Sequence, residues 1–193
     1  MLHPHHRGKR MNYSDESLLQ LALSGDGGCF GELSSRWERK IYAFIYRYVG
    51  NREDARDLTQ ETFAKAYRNL SRLTDPKRFS SWLYKIALNE CRMRFRRRRS
   101  WDTVPLTEDV QAVVAETNQS TPEKVLASKE KVELLKMALA KLPEEQKTVI
   151  LMKEYQGLKF QEIAHILEVP LSTAKSRMYL GLKTMRKLLE KRL

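Results

Sequence analysis

Cysteine is nearly absent. Cys29 and Cys91 are the only two in 193 residues, and they have no C-x-x-C spacing. That spacing excludes a disulfide framework and a thiolate zinc site, and leaves two buried, reduced thiols as the expectation. Long hydrophobic runs are missing as well: nothing approaches the ~18 apolar residues a membrane span needs. No signal-peptide core follows the N-terminus, so a cytoplasmic protein without membrane insertion is expected. Metal-ligating clusters are scarce. "MLHPHHRGKR" holds His3, His5 and His6, but on no preorganised frame, so a solvated tail over residues 1–13 is expected, with Met11 a candidate start. Neither a metal site, a cofactor motif nor a catalytic constellation of carboxylates, His and Cys is expected.

What the chain has in excess is positive charge: 36 Lys plus Arg against 24 Asp plus Glu, a formal net charge of +12. That excess calls for an anionic partner, nucleic acid before an acidic membrane surface. The densest cationic stretch is "CRMRFRRRRSWD", with six arginines between Arg92 and Arg99.

Helical periodicity fills the first hundred residues, and no strand pattern appears. Phe30, Leu33, Trp37, Ile41, Phe44 and Tyr48 recur at spacings of three and four, one face of a long helix. Gly50 and Asn51 punctuate it. Asn51 is placed to cap the next helix, with Glu53 and Asp54 in its dipole-favoured first turn. That helix is expected to turn Ala55, Leu58, Thr62, Ala66 and Tyr67 to a core. After "LTDPK" a further helix should open near Phe79 and bury Phe79, Trp82, Leu83 and Ile86.

From Asp102 to Glu123 the composition inverts, with five acidic residues and no Lys or Arg. This reads as an extended linker and a plausible mimic of nucleic acid. Thr121-Pro122 then starts a second helical block, which Leu142-Pro143 interrupts, Glu144 and Glu145 restart and Gly157 ends. "FQEIAHILEVPLSTAKSRMYLGLK" has the layout of a helix-turn-helix. Ile163, Ala164 and Leu167 line the inner face of its first helix, and Ala174 and Met178 face back from the second. Thr173, Lys175, Ser176, Arg177 and Tyr179 lie where such motifs meet base edges and phosphates. Glu168 stands where many such turns carry glycine; at positive φ it would cost about 1 kcal/mol, which favours another turn geometry.

Taken in order, "REDARDLTQETFAKAY", "FSSWLYKIALNECR" and "FQEIAHILEVPLSTAKSR" resemble the core-polymerase-binding helix, the −10 helix and the −35 helix-turn-helix of bacterial RNA polymerase sigma factors of the extracytoplasmic-function (ECF) class. The resemblance spans Ser14 to Arg99 (region 2) and Leu134 to Leu189 (region 4). It implies an all-α chain of two small helical domains, at 14–100 and 123–193, joined by an acidic linker at 101–122. It implies a non-enzymatic subunit whose partners are the β′ and β subunits of core polymerase, duplex and melted promoter DNA, and an anti-sigma factor. Positions Asp54, Asp57, Gln60, Glu61 and Phe63 match those that meet the β′ clamp. Trp82 and Asn89 match residues that face the melted −10 element, and Leu73 to Lys77 match the loop that holds an extruded base. The chain departs from the family in "MYLGLK", where arginines are frequent: Leu180 and Leu182 remove possible DNA contacts, and Gly181 weakens the helix by up to ~1 kcal/mol.

The arginine run acquires a geometry on a helix. Lys85, Asn89, Arg92, Arg96 and Arg99 share a stripe roughly 80° wide beside Trp82, suited to a strand whose phosphates meet arginines while its bases meet Trp82 and Asn89. Arg94, Arg97 and Arg98 project elsewhere and are expected to matter less. Two other readings compete. An autonomous helix-turn-helix regulator would need an effector pocket or dimer helix; a nuclease would need clustered carboxylates or His/Cys ligands.

Overall fold

The structure, a computed structural model, describes residues 13–101 and 132–190, with the backbone alone for 98–101. The acidic spacer, the helix start at Thr121-Pro122 and the His-bearing N-terminus lie outside the described residues. Every regular element among the described residues is helical, and the chain divides into two compact units.

The first unit has four helices: α1 (Asp15–Leu23), α2 (Gly27–Val49), α3 (Arg52–Arg68) and α4 (Phe79–Trp101), with short 3-10 turns at Leu70–Arg72 and Pro76–Arg78 before α4. Their boundaries follow from local chemistry. The Ser14 hydroxyl accepts the Ser17 amide at 3.2 Å, Asp26 accepts Gly28, and Asn51 accepts Asp54 at 3.0 Å, each satisfying an otherwise orphaned first-turn donor. α2 ends at Gly50, whose φ of 79° is the left-handed conformation glycine adopts without strain.

The apolar stripe of α2 is buried at Phe30, Leu33, Ile41, Phe44 and Tyr48. Trp37 is only half-buried, because its indole Nε1 reaches the Asp15 carboxylate at 2.8 Å and pins α1 to α2. On α3, Ala55, Leu58, Thr62 and Ala66 are buried, and Tyr67 is not. At about 100° per residue Tyr67 lies ~120° around the helix from Ala55, outside the core-facing arc; its ring rests on Phe30 at 5.2 Å. On α4, Phe79 and Leu83 are buried, whereas Trp82 and Ile86 sit half-exposed. Because α4 is covered by both α2 and α3, its buried arc widens instead to Tyr84, Ala87, Leu88 and Cys91. The Tyr84 ring meets Phe44 edge-on at 5.4 Å and Trp37 at 6.2 Å, and burial pushes its phenol well above the ordinary tyrosine range. Both cysteines are buried and neither is in a disulfide.

In the second unit α5 (132–140) precedes α6 (Glu144–Ile150), which widens into a π-helical turn at Leu151–Tyr155 and stops at Gly157, φ 68°. α7 (Phe160–Leu167) and α8 (Leu171–Glu190) form the helix-turn-helix. The inner face of α7 is Ile163, Ala164 and Ile166, with Leu167 half-buried. That turn keeps the left-handed geometry: Glu168 has φ 55° and ψ 44°. Amides of Glu168 and Val169 bond to the carbonyls of His165 and Ala164, at 3.3 and 3.0 Å, which offsets the ~1 kcal/mol of strain. Gly181 is buried against α6. A Cβ there would stand 2.8 Å from Ile150 Cδ1 and 3.2 Å from Gln146 Cβ, so its place in the helix is set by close packing.

Candidate polymerase and promoter interfaces

The outer side of α3 carries Asp57, Gln60 and Glu61 exposed, with Phe63 half-buried on the far flank, about 160° around the helix from Glu61. Asp54 does not join them. Its carboxylate is buried and held by the Arg94 guanidinium of α4 at 2.5 Å. The same Arg94 nitrogen stands 3.7 Å from Asp57, so one arginine of the run clamps α4 onto the start of α3. Arg94 lies off the stripe, and instead of protruding from the core it turns onto α3.

Between α3 and α4 runs a groove of about 320 Å³. One wall holds Trp82, Lys85 and Asn89 from α4; the other holds Lys65, Asn69 and Arg72 from the end of α3 and the turn after it. At its floor the Glu90 carboxylate, 4% exposed, is bound through both oxygens by Lys65 Nζ at 2.6 Å. This pairing keeps a buried charge compensated. A second cleft, about 270 Å³, continues past Lys65 and Glu90 to Glu61, Arg68, Arg94 and Arg97. Along α4, Asn89 and Arg96 are exposed and Arg92 half-buried, while the side chain of Arg99 lies outside the described residues. A half-exposed tryptophan beside amide and cationic side chains can stack a base and hold phosphates at once.

On α8, Lys175, Ser176 and Tyr179 are exposed and Thr173 is half-buried. Arg177 faces the other way, 21% exposed and paired with Glu145 of α6 at 2.8 Å. Leu180 and Leu182 stand 48% and 47% exposed beside Tyr179.

Residues 33–100 match the family model described as Sigma-70 region 2, and residues 133–185 the one described as Sigma-70, region 4. The ECF RNA polymerase sigma-E factor of Haemophilus influenzae is 33% identical over 171 residues, covering 86% of this chain and 90% of the relative. The ECF sigma factor SigW of Bacillus subtilis is likewise 33% identical, over 84% of this chain and 90% of its own. This chain belongs to the ECF class of RNA polymerase sigma factors.

The fold agrees. CnrH, solved in complex with the cytosolic domain of CnrY, superposes with a TM-score of 0.69 at 24% identity, covering 92% of this chain and 97% of CnrH. RpoE of Bartonella quintana, solved with the anti-sigma factor NepR, gives 0.65 at 23%, over 83% and 96%. As an ECF sigma factor the protein is a non-enzymatic subunit that directs RNA polymerase in promoter recognition. No helix among the described residues is long and apolar enough to cross a membrane. Nor does any group of three or more His, Cys, Asp or Glu among them stand where it could hold a metal.

Sequence reasoning missed one wall of the sigma factor's groove. Lys65, Asn69 and Arg72 follow spacings of four and three, as Lys85, Asn89 and Arg92 do on α4, and that shared rhythm was the available signal. It was obscured because α3 ends at Arg68 and a 3-10 turn carries Arg72 onward.

Proposed function

We propose that the sigma factor docks on the β′ clamp of core polymerase through Asp57, Gln60, Glu61 and Phe63. The melted −10 strand then lies along the α3–α4 groove, and the outward face of α8 reads the −35 duplex. The observation that carries this reading is the groove, in which Trp82, Lys85 and Asn89 oppose Lys65, Asn69 and Arg72. A single strand needs stacking, amide edges and phosphate contacts within one nucleotide's reach, and the two walls supply all three. Asp54 serves this interface indirectly by anchoring Arg94; the direct polymerase contacts are the exposed ridge. Arg92, Arg96 and Arg99 extend the −10 surface along α4, and Thr173, Lys175, Ser176 and Tyr179 are the −35 contacts, with Arg177 a support for α8.

In this reading 14–100 and 123–193 act as separate grips on the promoter, joined through 101–122, and β contacts the second of them. The protein works in the cytoplasm, where its polymerase is. An anti-sigma factor is its expected inhibitor, as the CnrH and RpoE complexes exemplify for their own chains. Adding the purified chain to core polymerase and sequencing transcripts from genomic DNA should yield discrete start sites that core alone does not give. Changing Asp57, Gln60 and Glu61 together to alanine should abolish co-elution with core while helicity by circular dichroism is retained. Unchanged co-elution refutes the ridge.

A further inference from the structure

A carboxylate is out of place at the floor of a groove for a polyanion, and Glu90 is fixed there. At 4% exposure it cannot turn out to water. Lys65 covers it: Nζ stands 2.6 Å from each carboxylate oxygen, and the lysine lines both clefts between α3 and α4. The pairing changes what the lysine can bind. An ammonium has three N–H donors, so with two on Glu90 one remains for a ligand. A phosphate oxygen about 3 Å from Nζ would stand about 5 Å from the carboxylate, whose repulsion cancels about three-fifths of the attraction at one effective dielectric. A neutral acceptor, such as a base carbonyl or ring nitrogen, carries no net charge to be repelled.

Asn69, one turn further along α3, is held in a similar way. Its Nδ2 donates to the Lys65 carbonyl at 2.8 Å. A carbonyl only accepts, so the amide NH2 must face it, and Oδ1 is left to accept from a base. The wall opposite Trp82 and Asn89 thus offers one donor and one acceptor at set positions. Arg72, exposed on the same wall, offers a guanidinium to phosphate.

We propose that Glu90 is a positioning residue that turns Lys65 from a phosphate contact into a hydrogen-bond donor to a base of the melted strand. The consequence is selectivity. A lysine free to follow phosphates strengthens binding to every sequence alike, whereas one held at a fixed point strengthens only strands whose base presents an acceptor there. The inference rests on the −10 strand lying in the α3–α4 groove.

The test uses the full-length chain with core polymerase. Its probes are a single strand carrying the −10 sequence of a promoter defined by the transcript sequencing above, and a scrambled strand of the same composition. Glu90→Gln keeps the shape and one acceptor oxygen but removes the charge, which releases Lys65 to phosphate. The slope of log affinity against log salt should then steepen by about 0.7, the value of one phosphate contact on a single strand. The gain in affinity at 50 mM salt should exceed that at 200 mM by about 2.6-fold, and preference for the −10 sequence should fall. The double variant Lys65→Met with Glu90→Gln leaves no buried charge uncompensated. It should return to the wild-type slope while preference stays low. A pair that serves the fold alone would lower stability in urea unfolding and move neither slope nor preference. An unchanged slope in Glu90→Gln protein overturns the proposal, and so does preference retained in both variants. A double variant about 0.7 shallower than wild type also overturns it, because Lys65 then meets phosphate with Glu90 in place. Should Glu90→Gln protein fail to fold, the double variant decides by its slope and preference. Trp82→Ala separates this role from the path of the strand. If Trp82→Ala leaves affinity for the −10 strand unchanged, the strand lies elsewhere and both readings fall. If it weakens binding while the slopes fail, only the role of Glu90 is lost.

Discussion

α4 and α8 are both long basic helices, of 23 and 20 residues, and in the proposed reading they meet opposite states of DNA. α4 is packed against α2 and α3 and presents Trp82, Lys85 and Asn89 as one wall of a groove. α8 is packed chiefly on α6 and α7, through small or flexible residues such as Ala174, Met178, Gly181 and Met185, and its outer half stays convex. A melted strand needs a concave site, because unstacked bases must find new partners on several sides. A duplex major groove needs a convex rod that fits inside it. Each helix also spends one arginine on its own support: Arg94 on Asp54, and Arg177 on Glu145. Positive charge alone does not identify a DNA contact.

The largest effect should come from breaking the first of those supports. Arg94→Gln removes the guanidinium that holds the buried Asp54 carboxylate. We expect region 2 to lose about 3 kcal/mol in urea unfolding followed by circular dichroism, against under about 0.5 kcal/mol for exposed Arg96→Gln. Asp54→Asn in the same chain should restore part of the loss, because the uncompensated charge is then gone. Equal small effects from Arg94 and Arg96 would remove the distinction between clamp and contact. The division of the arginines into Arg92, Arg96 and Arg99 against Arg94, Arg97 and Arg98 thus needs one amendment: the second set contains a residue the fold depends on.

Next in size is the base site. Trp82→Ala should suppress open-complex formation by about fivefold to 150-fold at limiting holoenzyme, the range of ~1–3 kcal/mol for stacking on an aromatic ring. Permanganate reactivity of unpaired thymines measures it. Since Trp82 is half-exposed, the variant should fold and bind core normally. Arg72→Gln, on the opposite wall, should produce a smaller defect of the same kind. If Arg72 proves indifferent, the groove has one working wall and resembles α8 more closely than the two-walled geometry implies.

Gly181 tests the second half of the comparison. Alanine in place of glycine gains up to ~1 kcal/mol of helix propensity, while overpacking costs about 1–3 kcal/mol. Gln146 Cβ, 3.2 Å from the new methyl, is fixed to the α6 backbone and cannot swing away, although the Ile150 tip can. The cost should win: Gly181→Ala should destabilise region 4 by about 1 kcal/mol in thermal unfolding. A stabilised variant would mean that α8 has freedom to shift on α6.

Much of this was legible beforehand, for reasons that differ by residue. Asn51, Gly50 and Gly157 declare themselves because capping and left-handed turns are local events, and the α2 stripe is legible because one face of one helix decides it. Trp82, Ile86, Tyr67 and Leu167 were assigned to cores they only border. Periodicity gives the direction of an apolar face but not how many helices will cover it. Asp54 was grouped with Asp57 through the family resemblance, and the arginine that holds it lies 40 residues away on α4, a relation no local pattern contains. Gly181 was read as a defect for the same reason: the atoms that require it belong to α6.

The smallest effect separates two neighbours on α8. Lys175 is exposed, whereas Arg177 is 21% exposed and bound to Glu145, itself 62% exposed. Exposed pairs of this kind contribute about 0.2–1 kcal/mol, so Arg177→Ala should lower region 4 stability only slightly. Its effect on DNA should be smaller still. A guanidinium neutralised by a carboxylate displaces little counterion from a phosphate, so the dependence of holoenzyme affinity on salt should be the same with and without it. Lys175→Ala should weaken binding across all −35 sequences and reduce the slope of log affinity against log salt by about one. Titrating both variants on one duplex at several salt concentrations separates them. Should Arg177→Ala also reduce the slope by about one, the Glu145 pair must open when DNA arrives, and Arg177 would rejoin Lys175 as a phosphate contact.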